Sequence, residues 1–337
     1  MKKLVNLFLI SQCMFILPSY AEVTKDTTIS ATETANLDKL IKTYQGIITK
    51  EPNDITYYIK LGDIYLDNYK NQEKALEIYN QGLKMQPKIT FNQIKEKRFL
   101  DYMYEQSGNN DQVYQQKINI VMQHLKTMSE LYFKMSAIYS NLNNKKEAEN
   151  SLQKAIELNP LDWRLYNNLG IIYEAQKNYD LAIKIYNQAL EHTKEYSYLV
   201  KINLATTYRE MKRIDKSIET YQSIIDSNSE FSAAYYNLAA AYINENNNKA
   251  AINVLKKLLN KADENRNAIL IIVATYLKDK NYNELLDFIN QNVNKDTQSG
   301  LYYKLLGELY NAKGDIKLSE DNFALSCKNG ETSSCNK

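Results

Sequence analysis

The feature that most constrains this chain is a tyrosine that recurs about every 34 residues. The separations between successive members of the series are 39, 35, 34, 35, 34, 34 and 34 residues. The eight tyrosines are Tyr65, Tyr104, Tyr139, Tyr173, Tyr208, Tyr242, Tyr276 and Tyr310. A fixed period of this length is typical of stacked helix–turn–helix units. Such an array offers an extended surface to a partner rather than an enclosed chamber for chemistry.

The first 21 residues are typical of a secretory signal peptide. Two lysines form a basic start, and a mostly apolar run extends from residue 4 to residue 17. The small residues Ser19 and Ala21 stand at the positions expected before a cut after Ala21. The run is shorter than the roughly 20 residues that span a membrane, and an uncleaved anchor is the alternative. We therefore predict a periplasmic or secreted protein whose mature chain begins at Glu22.

The charge of the mature chain excludes some classes of partner. Removal of residues 1–21 takes away Lys2 and Lys3 and no acid, so 42 basic side chains become 40 and match the 40 acidic ones. A nucleic-acid partner calls for a basic face. No second apolar run of spanning length follows the first. We expect a protein or peptide partner, no nucleic acid and no membrane insertion of the mature chain.

Two cysteines remain after the predicted cleavage, Cys327 and Cys335. An even number of cysteines in an exported chain indicates a disulfide, and closing so short a loop stabilises by roughly 2–3 kcal/mol. Two free thiols are the alternative. The seven residues between the cysteines contain no histidine, so the pair does not suggest a metal site.

The chain divides into four predicted regions. After the signal peptide, residues 22–36 are polar and rich in threonine, which indicates a flexible linker. A helical apolar stripe begins at Leu37 and predicts a lone helix ahead of the first complete pair. The repeat array then extends over 37–330, and residues 331–337 form a C-terminal tail with the disulfide.

The repeating unit is clearest in residues 163–196, where two amphipathic helices carry a pattern of aromatic and small residues. The pattern is Tyr166, Leu169, Gly170, Tyr173, Ala182, Tyr186 and Ala189. These residues resemble the tetratricopeptide repeat (TPR). The resemblance implies an all-α, right-handed superhelical solenoid of about seven or eight TPR units, preceded by the lone helix.

Two units depart from this pattern but keep its spacing. The first, around Tyr104, has Val113 and Lys117 where alanine and an aromatic residue are expected. The second, around Tyr276, has Leu285 in place of alanine. We interpret both as degenerate repeats, and the first, which follows the 39-residue gap, as a place where the array could bend or change its pitch.

The search for catalytic chemistry is largely negative. The chain has only two histidines, His124 and His192, and they lie far apart in the repeat frame. It has no glycine-rich phosphate loop and none of the common hydrolase or metalloprotease motifs. We therefore predict that the protein is not an enzyme and that it uses no cofactor or metal.

One pattern suggests a binding site. In three successive repeats a leucine precedes the small residue of the first helix. The residue directly before that leucine is asparagine in all three: Asn168, Asn203 and Asn237. Stacked amides would suit the backbone of an extended peptide. The arrangement resembles the asparagine ladder in the TPR array of O-linked N-acetylglucosamine transferase, without that family's catalytic domain. The alternative is that asparagine is simply common in this composition.

Other residues on the same predicted helix faces would complete a peptide-binding groove. Charged members would set the register of the peptide and apolar members would supply affinity. They are Asn167, Ile171, Glu174, Ile202, Thr206, Arg209, Tyr236, Ala240 and Ile243. The predicted function is an exported scaffold that binds an extended peptide or partner protein in its concave groove. The alternative is an assembly adaptor of the cell envelope that joins partners through its outer surfaces.

Overall fold

The structure is a computed structural model that describes residues 31–86, 89–259, 266–296 and 298–336. The predicted signal peptide and residues 22–30 of the predicted linker lie outside this part of the chain. Contacts divide the described residues into two compact units, 31–207 and 208–336, and each is described by itself.

The described residues form seventeen α-helices and no strand, which confirms the predicted all-α class. In the first unit the helices are α1 Ala31–Lys50, α2 Ile55–Asp63, α3 Gln72–Lys84, α4 Phe91–Lys95, α5 Lys97–Gln106, α6 Asp111–Asn141, α7 Lys145–Leu158, α8 Trp163–Ala175 and α9 Tyr179–Glu191. Helix α10, Ser197–Glu210, contains the boundary between the units. The second unit continues with α11 Ile214–Ser227, α12 Ser232–Asn244, α13 Asn248–Leu259, α14 Arg266–Lys278, α15 Tyr282–Asn292, α16 Ser299–Lys313 and α17 Ile316–Lys328.

The lone helix α1 begins six residues earlier than predicted. It starts at Ala31, so residues 31–36 are helical and the linker prediction is wrong for them. Two alanines favour a helix here, and the acidic Glu33 in the first turn interacts favourably with the helix dipole. The apolar stripe of α1 packs as expected, with Ile41 buried against Tyr58 and Leu61 of α2.

In three of the hairpins a glycine in the first helix admits an aromatic ring from the second helix. A Cβ added to Gly170 would lie 2.4 Å from a ring carbon of Tyr186, which is fully buried. Gly62 stands in the same relation to Tyr79, at 2.1 Å, and the pattern is repeated in the last hairpin. These rings fill the space between helices that only glycine allows to approach so closely.

The same turn closes the first helix in six of the hairpins. The backbone N–H of the fifth residue after the periodic tyrosine donates to the tyrosine carbonyl at 2.8–3.0 Å. The fourth residue is left-handed, with φ between 57° and 83°. This is the Schellman arrangement that satisfies the last carbonyls of a helix. The six tyrosines are Tyr139, Tyr173, Tyr208, Tyr242, Tyr276 and Tyr310.

The first degenerate repeat has a structure that the period did not predict. Val113 and Lys117 lie on a helix as expected, but that helix, α6, continues without a turn as far as Asn141. One 31-residue helix thus supplies the second helix of one repeat and the first helix of the next. Its sequence contains no glycine or proline to end it. Its partner α5 buries no residue, so this repeat has little core of its own.

The C-terminal residues fold back on the last hairpin. Cys327 and Cys335 are joined by a disulfide, as predicted. Between them, Thr332–Ser334 form one turn of 3₁₀-helix. The buried hydroxyl of Ser326 donates to the carbonyl of Gly300 at 2.7 Å and contacts the hydroxyl of Ser334 at 2.9 Å. The tail therefore covers the beginning of α16.

An ion-pair cluster fixes the same tail. The carboxylate of Glu331 lies 2.5 Å from the guanidinium of Arg266 and 3.5 Å from the ammonium of Lys304. Hydrogen bonds from Ser333 and Arg266, with the charge of Lys304, lower the pKa of Glu331 to about 2 against the opposing effect of burial. The cluster links the tail to α14 and α16.

The glycine–tyrosine contact makes a direct prediction. Gly170→Ala would place a methyl group inside the ring of Tyr186, so we expect a loss of roughly 1–3 kcal/mol of stability, measured by chemical denaturation. Gly46→Ala is the matched control, because nothing lies within 4 Å of its Cβ position. That change should stabilise by about 0.5–1 kcal/mol through helix propensity. Equal effects of the two changes would contradict the close approach.

Candidate functional site

The structure places the three asparagines of the predicted ladder in different surroundings. Asn168 on α8 is half-buried, and its amide donates to the carbonyl of Arg164 at 2.8 Å, within its own helix. Asn203 on α10 is also half-buried. Asn237 on α12 is only 1% exposed, and its amide donates to the carbonyl of Ala233 at 2.9 Å. Two of the three amides therefore reach the surface.

The amide contact that joins neighbouring repeats involves Asn167 rather than Asn168. The Nδ2 of Asn203 donates to the Oδ1 of Asn167 at 2.9 Å and links α10 to α8. Asn167 is buried, so its oxygen needs such a partner. The side-chain carbonyl oxygens of Asn168 and Asn203 themselves accept no hydrogen bond within the described residues. These two oxygens are the polar groups that the ladder offers to a ligand.

Four of the twelve residues predicted to contact a peptide are buried, so the prediction is wrong for them. A buried side chain packs the repeats and presents no surface to a peptide. The four are Asn167, Ile202, Asn237 and Ala240. The other predicted residues are partly exposed: Asn168, Ile171, Glu174, Asn203 and Thr206 in the first unit, and Arg209, Tyr236 and Ile243 in the second. For these eight residues peptide binding stays a prediction, divided between the two units.

Glu174 has a structural role that the sequence did not reveal. Its Oε2 accepts hydrogen bonds from the hydroxyl of Tyr186 at 3.0 Å and from the hydroxyl of Thr207 at 3.2 Å. Burial, followed by the charge and hydrogen bond of Glu174, raises the pKa of Tyr186 well above its usual value. The carboxylate thus supplies a partner to a tyrosine that the hairpin buries completely.

An equivalent contact occurs in the first hairpin. The hydroxyl of Tyr79 donates to Asp63 at 2.5 Å, and the ammonium of Lys134 pairs with the same carboxylate at 3.1 Å. In both hairpins an acid follows the glycine on the first helix. Asp63 is the next residue after Gly62, and Glu174 is the fourth residue after Gly170. The two offsets differ, so the position of the acid relative to the glycine does not by itself identify these partners from the sequence.

The partly exposed residues of the second unit carry other interactions. Arg209 contacts Glu210 at 3.4 Å. Burial raises the pKa of the Tyr236 hydroxyl, and a hydrogen bond with the backbone of Ala268 opposes that effect. Tyr236 therefore sits against α14, with only part of its ring at the surface.

The repeat pattern is matched by family models for the tetratricopeptide repeat. Three such models match residues 55–89 and 129–160, 164–230, and 208–274, which together are just over half of the chain. The chain belongs to the tetratricopeptide repeat family. The matched segments leave out the degenerate repeat of α5 and also the last hairpin, α16 and α17, although that hairpin has the glycine and aromatic pattern.

Curated relatives share the repeats over part of their length. The uncharacterised protein ycf37 of Cyanophora paradoxa is 28% identical over 137 residues, which are 40% of this chain and 73% of that protein. Human tetratricopeptide repeat protein 13 is 29% identical over 113 residues, which are 34% of this chain and only 13% of that protein.

Solved structures with the same repeats show similarity of fold. The C-terminal part of a TPR protein from Cytophaga hutchinsonii has a TM-score of 0.50 at 12% identity and covers 90% of this chain and 96% of its own. YrrB, described as a TPR protein with an unusual peptide-binding site, has a TM-score of 0.45 at 16% identity and covers 68% of this chain and 97% of its own. Among the described residues, no helix has the length and apolar character needed to cross a membrane.

The Glu174–Tyr186 contact can be measured by a double-mutant cycle. Tyr186→Phe removes a hydrogen bond to a charged group, so we expect a loss of about 1.5–3 kcal/mol of stability. Glu174→Gln and the double variant complete the cycle, and a coupling energy of about 0.5–3 kcal/mol is expected. Tyr102→Phe is the control, since Tyr102 is 55% exposed and should change stability by less than about 0.5 kcal/mol. Additive effects of the two changes would contradict the contact.

Proposed function

We propose that this TPR protein is an exported scaffold that binds an extended peptide, or an extended segment of a partner protein, on the first helices of its repeats. In the first unit the proposed surface consists of the exposed parts of Asn168, Ile171, Asn203 and Thr206, on α8 and α10. In TPR arrays the first helix of each unit lines the concave side, which is the expectation drawn from the family resemblance.

The observation that carries this proposal is the pair of amide oxygens of Asn168 and Asn203. Each lies on the first helix of consecutive repeats, is partly exposed and accepts no hydrogen bond within the described residues. A peptide backbone presents N–H donors at regular intervals and independently of its sequence. Ile171, one turn along α8 from Asn168, adds apolar area beside the polar contacts.

Site-specific photocrosslinking in cells distinguishes this surface from the outer surfaces of the alternative adaptor function. A photoreactive residue at position 171 or 206 should give a partner adduct, and one at position 181 should not. Leu181 is the matched control, because it is 39% exposed on the second helix α9 of the same repeat. Adducts at position 181 without any at 171 or 206 would favour the envelope adaptor instead.

The captured partner then allows a quantitative test. Asn168→Ala removes an amide whose internal hydrogen bond is confined to its own helix, so binding should weaken by about 0.5–1.5 kcal/mol with little change in melting temperature. Asn203→Ala should weaken binding and also lower the melting temperature, because it leaves the buried oxygen of Asn167 without its partner. Unaltered binding by both variants would exclude peptide recognition through these amides.

Export is supported by the N-terminal sequence and by the disulfide, which is typical of oxidising compartments. We expect cell-derived protein to begin at Glu22, as measured by N-terminal sequencing. Alkylation before and after reduction should label Cys327 and Cys335 only after reduction. A soluble cytosolic form that keeps Met1 and labels at once would overturn both proposals.

A further inference from the structure

A cleft of about 600 Å³ lies where the end of α3 faces the middle of α6, within the first unit. It is separate from the surface on α8 and α10. Its wall includes Met85, Gln86, Ile89, Ile120, Val121 and His124. The volume falls in the range of about 300–1,000 Å³ that is typical of ligand-binding sites.

The rim of the cleft exposes large apolar side chains. Ile120 is 69% exposed and Met85 is 43% exposed. None of the described residues that line the cleft is charged. Apolar side chains around a concave site favour a ligand with an apolar group. A negatively charged ligand would lose its hydration there without a positive charge among these residues to pair with.

Two buried polar atoms in the wall have no hydrogen-bond partner in the described residues: Oε1 of Gln86 and Nε2 of His124. Gln86 is 8% exposed, and its Nε2 donates to the carbonyls of Asn53 and Gly82, each at 3.2 Å. These two bonds fix the orientation of the amide and leave its oxygen as an unused acceptor. Buried polar groups in native proteins are seldom left without a partner.

The imidazole of His124 suits an uncharged ligand. Burial lowers its pKa, against the opposing charge of Asp54. A lowered pKa favours the neutral ring, and each nitrogen of a neutral imidazole either donates or accepts one hydrogen bond. A ligand group that offers both a donor and an acceptor matches Gln86 and His124 together.

We propose that this cleft binds an uncharged segment of peptide, with one apolar side chain between Met85, Ile89 and Ile120 and its main-chain polar groups beside Gln86 and His124. Each peptide residue carries one N–H donor and one C=O acceptor on its backbone. The inference shares the class of ligand with the proposed function but assigns it to a second surface.

The chain offers a simple test because it contains only two histidines. Isotope-labelled histidine gives two sets of imidazole NMR signals, and His192, which packs against the ring of Tyr166, serves as an internal control. Titration with N-acetyl-leucinamide should move the signals of His124 in a saturable manner and leave those of His192 in place. N-acetyl-glutamic acid α-amide, which adds a negative charge, should bind at least about tenfold more weakly.

Substitution at the rim tests the location. Ile120→Lys should weaken the binding of N-acetyl-leucinamide at least about tenfold. Leu161→Lys, at a comparably exposed leucine in the same unit, should leave that binding unchanged.

The proposal is wrong if no saturable shift occurs, if both histidines respond alike, or if the Ile120→Lys variant binds the probe normally. If His124 responds to decanoate but not to N-acetyl-leucinamide, the cleft binds an acyl chain and the proposal of a peptide ligand is wrong. Asn168→Ala should leave this titration unchanged, so the two proposals fail separately.

Discussion

The close approach of a glycine to a facing aromatic ring is the contact on which three hairpins depend, those of Gly62, Gly170 and Gly307. With hydrogen in place of a side chain at Gly170, the ring of Tyr186 fills the gap between two helices and becomes fully buried. Full burial then creates a second requirement, because a phenolic hydroxyl taken out of water needs a partner. Glu174 supplies it, as Asp63 does for Tyr79. The packing thus determines which acids are available to a ligand.

The period predicted the fold because it is tied to the end of each first helix. The recurring tyrosine carbonyl accepts the closing hydrogen bond of the turn, and a left-handed residue follows four positions later. Five of these six left-handed residues are lysines or asparagines, so the turn forms without glycine in all but the last hairpin. The period therefore measures the length of a hairpin. It does not reveal whether a turn forms between hairpins, which is why the continuous α6 was missed.

The candidate site was predicted less well, because a repeat frame gives the side of a helix but not the neighbour that covers it. Asn167 and Ile202 occupy the same place in consecutive repeats, directly before the ladder, and both are buried. Asn168 and Asn203 share the next place and are both half-buried. Asn237 also has that place but is buried. Burial of this kind depends on packing partners distant in the sequence.

The departure from the period is as informative as the period itself. Where α5 buries nothing and α6 continues past the expected turn, the local sequence is not shaped by the packing of a regular repeat. Gln86 and His124 lie at this interruption. Each has a buried polar atom that finds no partner among the described residues, beneath an exposed apolar rim. Ile120 has 69% of its surface exposed, so packing in the hydrophobic core does not explain an isoleucine at this position. The amide oxygen of Gln86, the imidazole of His124 and the exposed Ile120 meet in one cleft, and their chemistry is what the proposed peptide ligand would use.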